Sequence, residues 1–152
     1  MELIHTSPTE ITNIDKHGRF GEFLFFSDSE YVMTAGEHIS YKLMVADGEI
    51  IEAGRLFFHE DAANLDTLVA ELAELLDVSE ADAEALIEES ASIYDLSSNV
   101  ETEDLAEASW NIQRFTARAA KRLGFRGVAV SDEQGTAYMI DMLGREGDLT
   151  KV

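Results

Sequence analysis

Apolar positions at the start of the chain fall into short, strand-like runs. Leu3-Ile4 opens a run over Glu2 to Ser7 that stops at Pro8, which predicts a strand followed by a turn. Thr9, Ile11 and Ile14 predict a short helical or irregular connector. Gly18 and Gly21 bracket Arg19-Phe20, and the compact Phe23-Leu24-Phe25-Phe26 that follows suits a buried strand. Ser27-Asp28-Ser29 supplies capping residues for a short helix over 30–35, stopped by Gly36. Ile39, Tyr41, Leu43 and Val45 alternate onto one face of a further strand. A turn at Asp47-Gly48 leads to Ile50-Ile51 and a segment reaching Phe57-Phe58.

The period then changes. Leu65, Leu68, Val69, Leu72, Leu75 and Leu76 recur at helix spacing. Ser79 with Asp82 resembles a capping box opening a second helix, with Ala83, Leu86 and Ile87 inward. Thr102 is placed to cap a third helix, which runs through Leu105, Trp110, Ile112, Phe115, Ala119 and Leu123 to a stop at Gly124. Trp110 and Gln113 share one face of it and are expected to pack as core with a satisfied amide. Alternation returns in a strand from Phe125 to Val130, a turn at Glu133-Gln134-Gly135 and a returning strand from Ala137 to Met142. Strands at both ends around a helical centre predict one α+β domain over residues 1–152, with a helical segment at about 60–109.

Composition narrows the class. A chain of 152 residues that is 45% apolar and 9% aromatic can bury a sizeable core and argues against disorder. The absence of cysteine excludes disulfides and thiolate chemistry. No apolar run is long enough to span a membrane and the first residues lack a secretory pattern, so a cytoplasmic protein is expected. The net charge of −20 is concentrated: between Leu56 and Gln113 there are 16 acidic residues and no Lys or Arg. Such a surface repels nucleic acid and anionic lipid and is drawn to basic protein surfaces, or serves as a solvated face.

Candidate chemistry is sparse. The four histidines have no spacing that places two on one helix face, and His59-Glu60-Asp61 cannot converge on one ion. Asp77 to Glu88 has the outer carboxylates of a calcium loop, but Ala81 replaces an oxygen ligand and Asp82 the glycine, and Ser79 as a helix cap explains it better. No metal is expected. Phosphate-binding glycine motifs and a serine nucleophile elbow are absent. Alternation puts Val128, Val130 and Asp132 on one strand face, leaving Asp132 either exposed at a strand end or set into a cleft. Glu133 points the other way or into the turn. His5 ends the first strand beside Thr6 and Ser7, where binding groups are often presented.

Together these pieces resemble the ADP-ribosyltransferase fold, in its branch with a His-Tyr-Glu signature. His5-Thr6-Ser7 stands where that branch carries His-Gly-Ser, and Phe20-Gly21 through Phe25-Phe26-Ser27-Asp28, with Tyr31 after it, is similar to its Phe-Gly element. The chain is more closely similar to a phage-associated family of anti-CRISPR ADP-ribosyltransferases. That likeness lies in Leu3-Ile4-His5-Thr6-Ser7 and in a C-terminal block through Trp110-Asn111-Ile112-Gln113-Arg114, Leu123-Gly124-Phe125 and Asp132-Glu133-Gln134-Gly135-Thr136, with the acidic middle outside it.

The resemblance implies NAD as substrate and modification of a type I-F CRISPR surveillance complex, blocking recognition of the DNA motif beside the target. It implies Asp132 as the catalytic carboxylate, with Glu133 the neighbouring candidate. His5, beside Thr6 and Ser7, would hold the adenosine ribose. Arg19, beside Phe20 and Gly21, would meet the pyrophosphate. Phe25, next to Phe26, or Tyr31 would offer nicotinamide a flat face. Thr6, Phe25 and Asp132 depart from the glycine, tyrosine and glutamate of the wider fold. The acidic centre also admits a non-enzymatic DNA mimic, and the fold admits an NAD hydrolase or a transferase acting on another bacterial protein.

Overall fold

In a computed structural model, which describes residues 2–7, 23–27, 39–95, 101–132, 135–143 and 145–151, the alternating ends of the chain divide between two sheets. Strands β1 (Glu2–Ser7), β2 (Phe23–Phe26), β3 (Ile39–Met44) and β4 (Ile50–Glu52) precede helices α1 (Asp66–Leu76), α2 (Glu80–Ile87) and α3 (Leu105–Arg122). Strands β5 (Gly127–Asp132), β6 (Gly135–Asp141) and β7 (Thr150–Lys151) follow. One sheet has the order β1-β3-β7, the other β2-β6-β5-β4. All pairings are antiparallel except β4 with β5. The architecture is α+β, as expected. The connector over 9–14 and the helix over 30–35 lie outside the described residues.

The four-stranded sheet is apolar on both faces because it is the middle layer. Phe23, Met139, Ala137, Val128 and Val130 face the helices in the larger core, with Leu68, Leu72, Leu86, Ile112 and Phe115. Phe26 and Ile140 face the other way, into a smaller core with Leu3, Leu43 and Val45 of the first sheet. Successive side chains of β2 and β6 thus serve different cores, which is why Phe23 to Phe26 is a continuous apolar run. The acidic segment is amphipathic: α1 buries Leu68, Val69, Leu72 and Leu76 while its carboxylates stay outside. Leu75 departs from the expected stripe and is 56% exposed. At 100° per residue it lies about 90° from the centre of the buried face.

Helix ends follow local chemistry, with one correction. The Ser79 hydroxyl accepts from the Asp82 backbone N–H at 3.1 Å, so the calcium-like spacing is a helix junction. Thr102, expected to cap α3, instead begins a 3-10 turn over Thr102–Asp104, and Asp104 precedes the helix without a side-chain cap. At the far end Gly124 adopts φ +94°, with Gly124 N–H donating to Lys121 O and Phe125 N–H to Ala120 O, both at 3.0 Å. This closes α3 as a Schellman motif. β5 begins at Gly127 rather than Phe125, directly after Arg126 N–H bonds to Glu49 O beside β4. The segment from Ile50 to Phe58 is a three-residue strand followed by a 3-10 turn over Ala53–Phe58.

At Gly127 the backbone of β6 comes close. A Cβ there would lie 2.8 Å from Met139 O and against the Ile140 side chain. Gly127→Ala is expected to cost about 2 kcal/mol, because sheet backbone cannot yield as a side-chain tip can. Urea unfolding measures it; an unchanged midpoint would contradict the close approach.

Candidate active site

The two sheets meet where β1 passes β2. Ile4 N–H donates to Ser27 O and Ser27 N–H to Ile4 O, each at 2.8 Å, a single antiparallel bridge between the sheets. β1 otherwise pairs with β3, and β2 with β6, so from this bridge the two sheets part as a wedge that the smaller core fills.

His5 stands in that wedge. Its Nδ1 is 2.6 Å from Phe25 O, and its ring centroid is 5.5 Å from that of Phe26, tilted by 53°. A carbonyl only accepts, so Nδ1 carries the hydrogen and the neutral ring keeps Nε2 as an acceptor. Burial lowers the imidazole pKa below its ordinary 6.5, and the Phe25 carbonyl partly offsets this. The folded protein therefore binds fewer protons here than the unfolded chain. The neutral ring contributes stability in full above about pH 6.5, and this is lost as pH falls through the depressed folded value. Between about pH 7.5 and 5.5, wild type is expected to lose unfolding free energy more steeply than His5→Gln. Denaturant titrations at both values test this; parallel losses would remove His5 as the cause.

The phenylalanines divide by strand parity. Phe26 is buried in the smaller core beside His5, whereas Phe25 packs against the larger core and meets His5 through its carbonyl. Thr6 is half-buried beyond His5, and Ser7 closes β1 opposite Ile39. Asp132 is the last residue of β5, opposite Gly135. Because β2 and β5 are both antiparallel to β6, they end on the same side of the sheet. Two strand spacings and two residues of rise put the Asp132 backbone about 12 Å from that of Ser27. His5, Phe25, Phe26 and the end of β5 are thus brought to one end of the middle layer. Glu133, Arg19, Phe20, Gly21 and Tyr31 lie outside the described residues.

Trp110 is half-buried, and Gln113 lines a cavity of about 400 Å³ between the end of α2 and α3, with Ser90, Ser92 and Thr116. The buried Thr116 hydroxyl lies 2.8 Å from Ile87 O and 3.1 Å from Ile112 O, so a structural tie between helices fills this region. The His5–Phe25 contact joins residues 20 apart and had no sequence signal.

The family model described as anti-CRISPR type I-F ADP-ribosyltransferase AcrIF11 matches residues 1–144. The match crosses the acidic centre, so the likeness is not confined to the blocks at either end. A solved structure titled as the crystal structure of an anti-CRISPR protein aligns over 100% of this chain and 95% of that chain, with TM-score 0.58. At 24% identity that likeness is one of fold. No curated protein matches the chain.

Proposed function

The chain belongs to the anti-CRISPR type I-F ADP-ribosyltransferase family, and from that premise we propose that it transfers ADP-ribose from NAD to a protein of a type I-F CRISPR surveillance complex, blocking recognition of the DNA motif beside the target. The observation that carries the site is the wedge at β1 and β2, with a neutral His5 on one side and the end of β5 about two strands away. Residues 1–152 act as one domain, since the acidic segment at about 60–109 supplies much of the larger core.

The chemistry follows from residue type. Breaking the C1′–nitrogen bond to nicotinamide develops oxocarbenium-like charge on the ribose, which a fixed carboxylate stabilises. Asp132 is assigned that role because it opens the Asp-Glu-x-Gly element that resembles the family's. Its strand parity with Val128 and Val130 is that of the helix side of the middle sheet, so it would meet NAD held by His5 around the strand ends. Nicotinamide leaves with the bonding electron pair, the acceptor side chain bonds to C1′, and the acceptor's proton passes to solvent. The Nε2 of His5 accepts from an adenosine ribose hydroxyl, which requires the neutral ring that burial favours. Thr6 and Ser7 flank that contact. Arg19, beside Phe20 and Gly21, holds pyrophosphate as a guanidinium can. Phe25 or Tyr31 supplies the flat face near nicotinamide, whereas Phe26 is buried in the smaller core and supports His5 from behind; Glu133 is the neighbouring carboxylate. No step uses a metal.

Incubating the protein with labelled NAD and purified type I-F complex tests this: label and the mass of one ADP-ribose should appear on a complex subunit. Inhibition without NAD or label would instead favour an acidic DNA mimic. Free ADP-ribose without label transfer would indicate NAD hydrolysis, and label on another bacterial protein a different target.

The acidic helices are proposed to dock on the basic, DNA-reading surface of that complex. Glu74→Lys, Glu80→Lys and Glu84→Lys together are expected to slow modification about tenfold at low salt and less at high salt. An unchanged rate at both salt concentrations would reduce this face to a solubility feature.

A further inference from the structure

A hollow among the described residues lies away from His5. It is an open groove of about 860 Å³ along β4, at the other end of the middle sheet. Gly127 and Asp132, the two ends of β5, are about 17 Å apart, and Glu52 in the groove stands beside Ala129, about 11 Å from Asp132. Phe58 stands in the groove 84% exposed, the most exposed of the large apolar side chains described. Phe125 and Ile50 add apolar wall, and Gly48 and Gly54 leave open space where side chains would project.

Three polar groups complete this lining. The Nδ1 of His59 accepts from Asp61 N–H at 3.0 Å, so the neutral ring carries its hydrogen on Nε2 and is a donor. The same Nδ1 is 3.9 Å from Asp61 Oδ2, and the ring stands edge-on to Phe125, with centroids 5.6 Å apart at 83°. Arg55 brings a guanidinium whose Nε lies 3.4 Å from Glu52 Oε2, and Glu52 itself lines the groove.

We propose that this groove is a second ligand site, distinct from the transfer site, that takes an adenine mononucleotide. An exposed phenyl face suits a planar base, the Glu52 carboxylate suits an exocyclic amine or ribose hydroxyl, and Arg55 with His59 Nε2–H suits a phosphate. Its size and its mixture of aromatic wall with few polar groups are those of a small-molecule site. The groove lies on the β4 edge of the middle sheet, three strand spacings from β2 and the His5 contact, so its occupancy can be read apart from that contact.

The test is an NMR titration of the full-length protein with AMP, following the ring resonances of Phe58, Phe125 and His59. These are expected to shift and saturate together, with adenosine binding about tenfold more weakly for want of the phosphate. Phe58→Ala and Arg55→Glu, both at exposed positions that the fold tolerates, should each weaken AMP about tenfold. His5→Ala should leave the AMP response at Phe58 and His59 intact. Silence of these resonances, or equal affinity of Phe58→Ala and wild type, would overturn the proposal. So would loss of their response in His5→Ala, which would couple it to the wedge. Equal binding of adenosine and AMP would overturn the phosphate assignment and with it the ligand class.

Discussion

Asp132→Asn is expected to lower the rate of ADP-ribosyl transfer by about a thousandfold while leaving the fold intact, which corresponds to about 4 kcal/mol of transition-state stabilisation. The amide keeps the size of the side chain and removes its charge, so the loss reports electrostatic stabilisation rather than packing. Position supports a large effect. Asp132 ends β5 on the side of the sheet where β1 and β2 part, and its backbone is held by pairing with Gly135. A charge held in place needs no reorganisation as the ribose becomes cationic, which is why loss of it should act on the rate. Glu133→Gln is expected to cost under tenfold, since the resemblance implies the aspartate of the Asp-Glu-x-Gly element as the catalytic carboxylate. Single-turnover transfer from labelled NAD to type I-F complex, with thermal melts as a folding control, measures both. If Glu133→Gln is the crippled variant, the catalytic carboxylate is reassigned by one residue. If neither changes the rate, the β5 end is not the site.

The largest expected stability effect lies in the acidic centre. Leu72 is fully buried on α1, in the core that contains Ile112, Phe115, Val128 and Met139. Leu72→Ala should cost about 3 kcal/mol through lost burial and the cavity left behind. For a chain of this size that lowers Tm by about 10 °C. A solvated appendage would behave differently, since surface changes stay within about 0.5 kcal/mol. Thermal unfolding followed by circular dichroism decides between them, and a shift under 1 °C would detach the acidic helices from the core. The Arg118–Glu71 pair at 3.3 Å is largely open to water and should add little to this coupling.

Much of the fold was legible because its signals are local. Strand alternation from Ile39 to Val45 marked the inward Tyr41, Leu43 and Val45. The Ser79 cap and the Gly124 stop were readable because capping depends on residues three or four apart. Thr102 misled because a hydroxyl before a helical pattern also suits a 3-10 turn. Leu75 misled because a periodic count does not distinguish the centre of an apolar stripe from its edge. The first strand and β5 brought His5 and Asp132 into view, but as isolated residues. Their common end of the sheet follows from β2 and β5 both pairing with β6, a relation between distant segments.

The sequence by itself determined the element types, the inward faces of the helices and the concentration of acid in the centre, since each is written in contacts within a few residues. Tertiary structure alone decided three matters. It placed the acidic helices against the middle sheet, sent Phe25 and Phe26 into different layers, and left His5 with its hydrogen on Nδ1 against a carbonyl 20 residues away. The physical reason is the same in each case. A strand offers both faces and both edges, and only pairing across the sheets selects which of them is buried, which is bonded and which is left open for chemistry.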